Sequence, residues 1–142
     1  MALKTIASLD LAANSFGFMD GDLILPDHER GKLISAHIPI VYGCSHACTF
    51  CITTLARGPG RSRSIPAVLA DIHSALAGGV QEIVLTGVHL GSWGQGTGMH
   101  LSDLLRAILA DTATPRLRLS SLEPWDLDEG FFSLWSDPRL MP

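Results

Sequence analysis

Three cysteines stand close together, at Cys44, Cys48 and Cys51, and the rest of the chain has none. The spacing C-x3-C-x2-C follows directly on the apolar run Ile38–Tyr42 and Gly43. Thiolates are the usual ligands of iron–sulfur clusters, which normally take four. Three of them leave one iron without a protein ligand, and an open position is what lets a metal site act on a second molecule. The pattern therefore points to a reactive site rather than a structural one. Two other readings stay open at this level. Zinc, completed by His46 or His37, uses the same thiolates, and the three can also be unrelated free thiols.

Further polar residues cluster after the cysteines. Arg57, Arg61 and Arg63 form a local basic patch whose guanidinium forks suit the paired oxygens of carboxylate or phosphate. A solvated loop ahead of a helix accounts for them equally. Thr86-Gly87 closes an apolar run, where a glycine admits close approach of backbone to a ligand or simply makes a turn. His89 and Trp93 can face a ligand or serve as surface and packing residues. Ser120, Ser121 and Glu123 follow a third apolar run. Glu123 offers a carboxylate acceptor, but Pro124 and Asp126 beside it also look like a helix start. No residue stands out as a general acid or base.

The elements that must carry these residues alternate. Ile38–Tyr42 is predicted as a buried strand ended by Gly43. Ser64 caps a helix whose apolar face is Ile65, Val68, Leu69, Ile72 and Leu76, with Pro66 in its first turn and Gly78-Gly79 at its end. Val80–Thr86 is a second strand, and Ile83-Val84-Leu85 reads as covered on both faces. A glycine-rich loop then leads to a helix with Leu101, Leu104, Leu105 and Ile108. Leu117–Leu119 is a third strand, and a third helix is expected over Asp126–Trp135. The order β-α-β-α-β-α implies right-handed crossovers in an α/β fold with a parallel sheet or barrel segment. In such barrels, sites gather at the carboxyl ends of strands, so Gly43 with the cysteines, Thr86-Gly87 and Ser120–Glu123 would share one rim.

Composition sets the remaining bounds. A length of 142 residues, with 46% hydrophobic and 17% charged residues, fits one globular domain. The net charge of −4 argues against nucleic-acid binding by the domain as a whole. Three tightly packed cysteines make no disulfide framework and fit a reducing, cytoplasmic setting. No run is long enough to span a bilayer, and the weak leader-like stretch Ile6–Leu9 is interrupted by Asp10. Residues 1–36 read as a linker or the remnant of an upstream domain, with a hairpin signal at Asp20-Gly21.

With these residues in view, the chain resembles the radical S-adenosylmethionine enzymes, whose motif is C-x3-C-x2-C with an aromatic residue before the last cysteine, here Phe50. The run Cys51–Gly58 with Arg61 and Arg63, the loop Leu85–Gly94 and the stretch Leu119–Pro124 are similar to the methylthiotransferase branch. The loop Thr86-Gly87-Val88-His89-Leu90-Gly91-Ser92-Trp93-Gly94 most resembles members acting on threonylcarbamoyladenosine in tRNA. The resemblance implies a [4Fe–4S] cluster on Cys44, Cys48 and Cys51, with S-adenosylmethionine at its open iron. It implies cofactor contacts from Phe50, Gly87, Ser121 and Glu123, and contacts to tRNA substrate from Arg57, Arg61 and Arg63. It also implies an electron donor such as flavodoxin or ferredoxin, and no membrane partner.

Family members are longer, with an upstream domain carrying a second cluster and a downstream RNA-binding barrel. Residues 37–142 are therefore expected to be the N-terminal half of a truncated core domain, about three β-α units of a six-strand, parallel, half-open barrel. In such a half barrel the last strand would be an unpaired edge and part of the apolar surface would lie bare. Phe131, Phe132 and Trp135 are expected in the core. Related alternatives are methylthiotransferases acting on ribosomal protein or isopentenyladenosine. Alternatives of another kind are a non-catalytic zinc-binding module and an inert fragment.

Overall fold

The fold is described from a computed structural model, for residues 34–120, 122–127 and 129–141. The hairpin signal at Asp20-Gly21 and most of the 1–36 segment lie outside these residues. The first strand, β1, runs Ser35–Tyr42, beginning earlier than its apolar run suggested. Its residues alternate, with Ala36, Ile38 and Ile40 buried and His37 exposed between them. The cysteine loop follows, then a short helix α1 (Thr53–Arg57) and a two-residue strand β2 (Arg61–Ser62). Helix α2 (Ile65–Ala77) starts where expected: Ser64 accepts a hydrogen bond from the Ala67 N–H, and Pro66 sits in the first turn. It ends at Gly78, and Gly79 adopts φ 88° to let the chain turn back. Strand β3 (Glu82–Gly87), helix α3 (Leu101–Asp111) and strand β4 (Leu117–Leu119) complete the regular part.

The strands form one sheet in the order β2-β1-β3-β4. Pairs β1–β3 and β3–β4 are parallel, but β2 lies antiparallel on β1, so the sheet is mixed rather than parallel throughout. The β1–β3 register slips between Pro39 and Val41, a bulge directly before the cysteine loop. Ile83 and Leu85 join Ala36, Ile38 and Ile40 in a core closed by Val68, Ile72 and Ala75 of α2 and Leu101, Leu104, Leu105 and Ile108 of α3. Each fully buried Leu or Ile contributes on the order of 1.5–3 kcal/mol by leaving water. Val84 is only half-buried, and among the described residues the opposite sheet face is not covered by a helix layer. The expectation of cover on both faces fails for that reason.

Two further expectations are corrected. The edge of β4 is not bare: the Leu117 N–H donates to Arg139 O (2.7 Å) and the Met141 N–H to Leu117 O (2.8 Å), a parallel bridge at Leu117–Leu140. Asp126–Trp135 is also not one helix. It divides into a 3-10 turn at Pro124–Asp126, a short helix α4 (Glu129–Phe132) and a second 3-10 turn at Ser133–Ser136. Gly130 and the aromatic residues of this stretch are weak helix formers, and burial decides their places. Phe131 is buried, while Phe132 is exposed and rests its ring 5.7 Å from that of half-buried Trp135.

Candidate functional site

Parallel pairing brings the carboxyl ends of β1, β3 and β4 to one rim. The cysteine loop leaves β1 through Gly43, at φ 66°, where a Cβ would stand 2.3 Å from the Pro59 carbonyl oxygen. Only glycine fits there. The loop is tied down from behind. The Cys44 N–H donates to Gly58 O (3.1 Å), the Thr54 hydroxyl donates to the Cys44 and His46 carbonyls (3.0 Å each), and the Gly60 N–H donates to Ser45 Oγ (3.0 Å). Helix α1 and strand β2, neither of them anticipated from sequence, thus form the buttress of the loop.

All three thiols are free, Cys44 half-buried and Cys48 and Cys51 exposed. The His46 N–H points at Cys44 Sγ (3.4 Å). Cys51 Sγ lies 3.1 Å from Thr53 Oγ1. The Thr53 hydroxyl, then its backbone N–H, hold the Cys51 thiol below the usual thiol range, toward the thiolate that binds metal. Among the described residues, no three His, Cys, Asp or Glu side chains converge as a metal cage. The donor chemistry fits a three-thiolate cluster site, and gathering the sulfurs requires side-chain rotation at an exposed loop, as is usual where binding and ordering are coupled. The His46 ring is turned onto that of another histidine, and His37 stands exposed on β1.

The remaining candidates fall in several places. Phe50 is 91% exposed beside Cys51, with Ile52 and Leu55 also exposed nearby. Gly87 ends β3, and a Cβ there would stand 3.0 Å from Val41 O, so close strand packing accounts for the glycine. Arg57 is exposed at the end of α1, and Arg61 borders a cleft of about 490 Å³ shared with Ser45 and Gln95–Thr97. Arg63 is turned inward. Its guanidinium donates to Asp71 (2.6 Å), Pro39 O (3.0 Å) and Ala67 O (3.3 Å), with 9% of its side chain exposed. That geometry bolts α2 to β1 and removes Arg63 from the exposed basic patch. Glu123 follows β4 on the rim, half-buried, and makes no capping hydrogen bond from its side chain. Ser120 donates to Leu85 O (3.1 Å), and Ser121 lies outside the described residues. Trp93 is buried, its indole N–H donating to Arg63 O (2.9 Å), which makes it a packing residue.

Sequence reading missed one pairing. His89 Nε2 and Asp126 Oδ2 meet at 2.5 Å although 37 residues separate them. Asp126 looked like a helix start, and no spacing rule links it to His89. Gly91 makes room for it: a Cβ there would overlap the Asp126 carboxylate, at 2.2 Å. The rings of His46 and His89 meet edge-on with centroids 4.5 Å apart. This group lines a cleft of about 390 Å³ with Ser92, Gly94–Gly96, Met99 and His100.

No family model matches the chain. Individual relatives do. It is 37% identical over 112 residues to a tRNA-2-methylthio-N(6)-dimethylallyladenosine synthase of Roseiflexus sp., covering 77% of this chain and 24% of that protein. It is 35% identical over 120 residues to the ribosomal protein uS12 methylthiotransferase RimO of Desulfotalea psychrophila, covering 82% of this chain and 27% of the relative. The chain belongs to the radical S-adenosylmethionine methylthiotransferase family. It spans about a quarter of the length of these family members. Its fold matches TsrM of Kitasatospora setae, a radical S-adenosylmethionine methyltransferase solved with cobalamin and a [4Fe-4S] cluster bound. The TM-score is 0.56 at 24% identity, over 74% of this chain and 19% of TsrM. A second TsrM structure, with tryptophan substrate and a SAM analogue, gives 0.57 over 80% and 21%. The sheet and helices are thus a partial α/β barrel of the radical S-adenosylmethionine kind. No helix among the described residues is long and apolar enough to cross a membrane.

Proposed function

We propose that this chain supplies the cofactor-binding part of a tRNA methylthiotransferase, with threonylcarbamoyladenosine as the modified base. Cys44, Cys48 and Cys51 would hold a [4Fe–4S] cluster, leaving one iron for S-adenosylmethionine. When bound, the pair supplies reductive cleavage of the sulfonium and a carbon radical. The chain's own part is to present and orient. Gly43 and Thr54 fix the thiol loop at the end of β1, Thr53 favours the Cys51 thiolate, and Phe50, Gly87, Ser121 and Glu123 would contact the cofactor. Arg57 and Arg61 remain as exposed cations for tRNA phosphate. Residues 37–142 would form the first half of the core domain, reduced by flavodoxin or ferredoxin in the cytoplasm.

The observation that carries this reading is the thiol trio at the carboxyl end of a barrel strand, in a chain 35–37% identical to two methylthiotransferases. The choice of threonylcarbamoyladenosine is supported by the loop Thr86–Gly94 alone. The relatives' names point instead to dimethylallyladenosine or to ribosomal protein uS12. Anaerobic reconstitution with iron and sulfide tests the first step. A brown protein holding about four irons, lost in Cys44→Ala, Cys48→Ala and Cys51→Ala, is expected. A colourless, zinc-loaded protein would replace it with an interaction module, and a chain with no cooperative melt would mark an inert fragment. Offering tRNAs carrying either modified base, and uS12, to an enzyme completed with the relatives' other domains would then decide the substrate.

A further inference from the structure

Buried polar atoms are rarely left without a partner, because an unmade hydrogen bond in a dry site costs about 1–3 kcal/mol. Among the described residues one buried side-chain atom breaks this rule: His89 Nδ1, which has neither a hydrogen-bond partner nor access to solvent. The rest of the ring is well determined. Nε2 faces the Asp126 carboxylate at 2.5 Å, so Nε2 carries the proton, and in the neutral ring Nδ1 is left as an acceptor. The residue is 7% exposed. Gly91 is shaped to admit Asp126, so the pairing is built in rather than accidental.

The surroundings indicate what the acceptor is for. His89 and Asp126 line the cleft of about 390 Å³ at the carboxyl end of β3, a size within the usual range for small-molecule sites. One wall is His46, on the loop between Cys44 and Cys48, whose ring meets that of His89 edge-on. The His46 backbone is anchored at its carbonyl by Thr54, while its side chain lies at the surface. For a ligand to reach Nδ1 along this wall, the exposed His46 ring would have to turn aside. A flat ring in the cleft can take over the aromatic contact that His46 now makes, and needs an N–H to satisfy Nδ1.

We propose that His89, oriented by Asp126, is a recognition site for the amino edge of a purine entering beside His46, with Nδ1 accepting the N–H. His89 would touch the ligand, and Asp126 is a positioning residue acting through it. The choice of purine rests on the reading of the preceding subsection, and adenine can come from the substrate nucleoside or from S-adenosylmethionine.

The test titrates the intact chain with three probes and follows the side-chain nitrogen resonances of His89. Adenosine and S-adenosylhomocysteine each carry the N–H, and N6,N6-dimethyladenosine lacks it. The unbound ring should show the Nε2–H tautomer. Adenosine, S-adenosylhomocysteine or both should shift Nδ1 upfield, as hydrogen-bond acceptance does. Response to adenosine alone assigns the substrate, response to S-adenosylhomocysteine alone assigns the cofactor, and response to both assigns the shared ring. N6,N6-dimethyladenosine should bind about tenfold more weakly than adenosine, the value of one hydrogen bond. Asp126→Asn should mix the tautomers and weaken binding of the responding probe. Where adenosine binds, equal binding of its dimethyl analogue overturns the proposal, and so does an Nδ1 unmoved by every probe; neither result depends on a variant that must fold. A protein that shifts Nδ1 but takes up no cluster would sink the methylthiotransferase reading and leave this site standing.

Discussion

At the scale of single residues, the three cysteines are not equivalent. Among the described residues Thr53 alone sets a hydroxyl beside a sulfur, and it holds the Cys51 thiol toward its charged form. Thiolate is the nucleophile, so Thr53→Val should slow alkylation of Cys51 by iodoacetamide near neutral pH. Cys48, also exposed, should be unaffected. Peptide mass spectrometry of a partial reaction reads both rates in one sample, and unchanged Cys51 labelling would refute the role of Thr53. Gly43 is a second residue with a sharp requirement. Both its φ of 66° and the 2.3 Å approach to Pro59 O exclude a side chain. Gly43→Ala should therefore cost about 1–3 kcal/mol in strain, seen as a lower melting temperature together with faster exchange of the Cys44 amide, which bonds Gly58 O.

At the scale of elements, what was legible from sequence was whatever carried a period or a cap. The apolar stripe from Ile65 to Leu76, with Ser64 ahead and glycines behind, gave α2 nearly residue for residue, and Leu101–Ile108 gave α3. Helix α1 and strand β2 carry no such signal, being five and two residues long. Tertiary hydrogen bonds from Thr54 and Gly60 account for them instead. The thiol trio was legible for a related reason, since its ligands are neighbours in the chain, whereas His89 and Asp126 meet only through the fold. Arg63 shows the same limit, because nothing local reveals that its charge turns inward to Asp71. This pair ties two elements together with side chains 9% and 4% exposed. Removing one partner of a buried ion pair costs about 3–5 kcal/mol. Arg63→Ala should therefore lower stability to chemical denaturant by that order, and Arg61→Ala, on the surface, should leave it nearly unchanged.

At the scale of the whole molecule, the sheet is finished at one edge by a two-residue strand and at the other by the segment Asp137–Met141. Arg139 pins that segment. It donates to Asp137, to Thr112 O (3.0 Å) and to Leu109 O (2.7 Å), closing the carboxyl end of α3. The Arg139 guanidinium holds the Asp137 carboxyl below its ordinary value, and Asp137 raises the pKa of Arg139. A lowered carboxyl pKa stabilises above the unfolded value of about 3.9 and is lost as pH falls through the folded one. The Leu117 and Met141 amides should keep their slow hydrogen exchange from neutrality down to about pH 4 and lose it below, and Asp137→Asn should show the loss already at neutral pH. Acid-insensitive protection would contradict this account. A last consequence follows from the indole of Trp93. It lines the glycine-rich hollow and at the same time donates to the carbonyl of the arginine that clamps helix to strand. Losing that one indole hydrogen bond would leave the Arg63 carbonyl short of a partner just where helix meets strand.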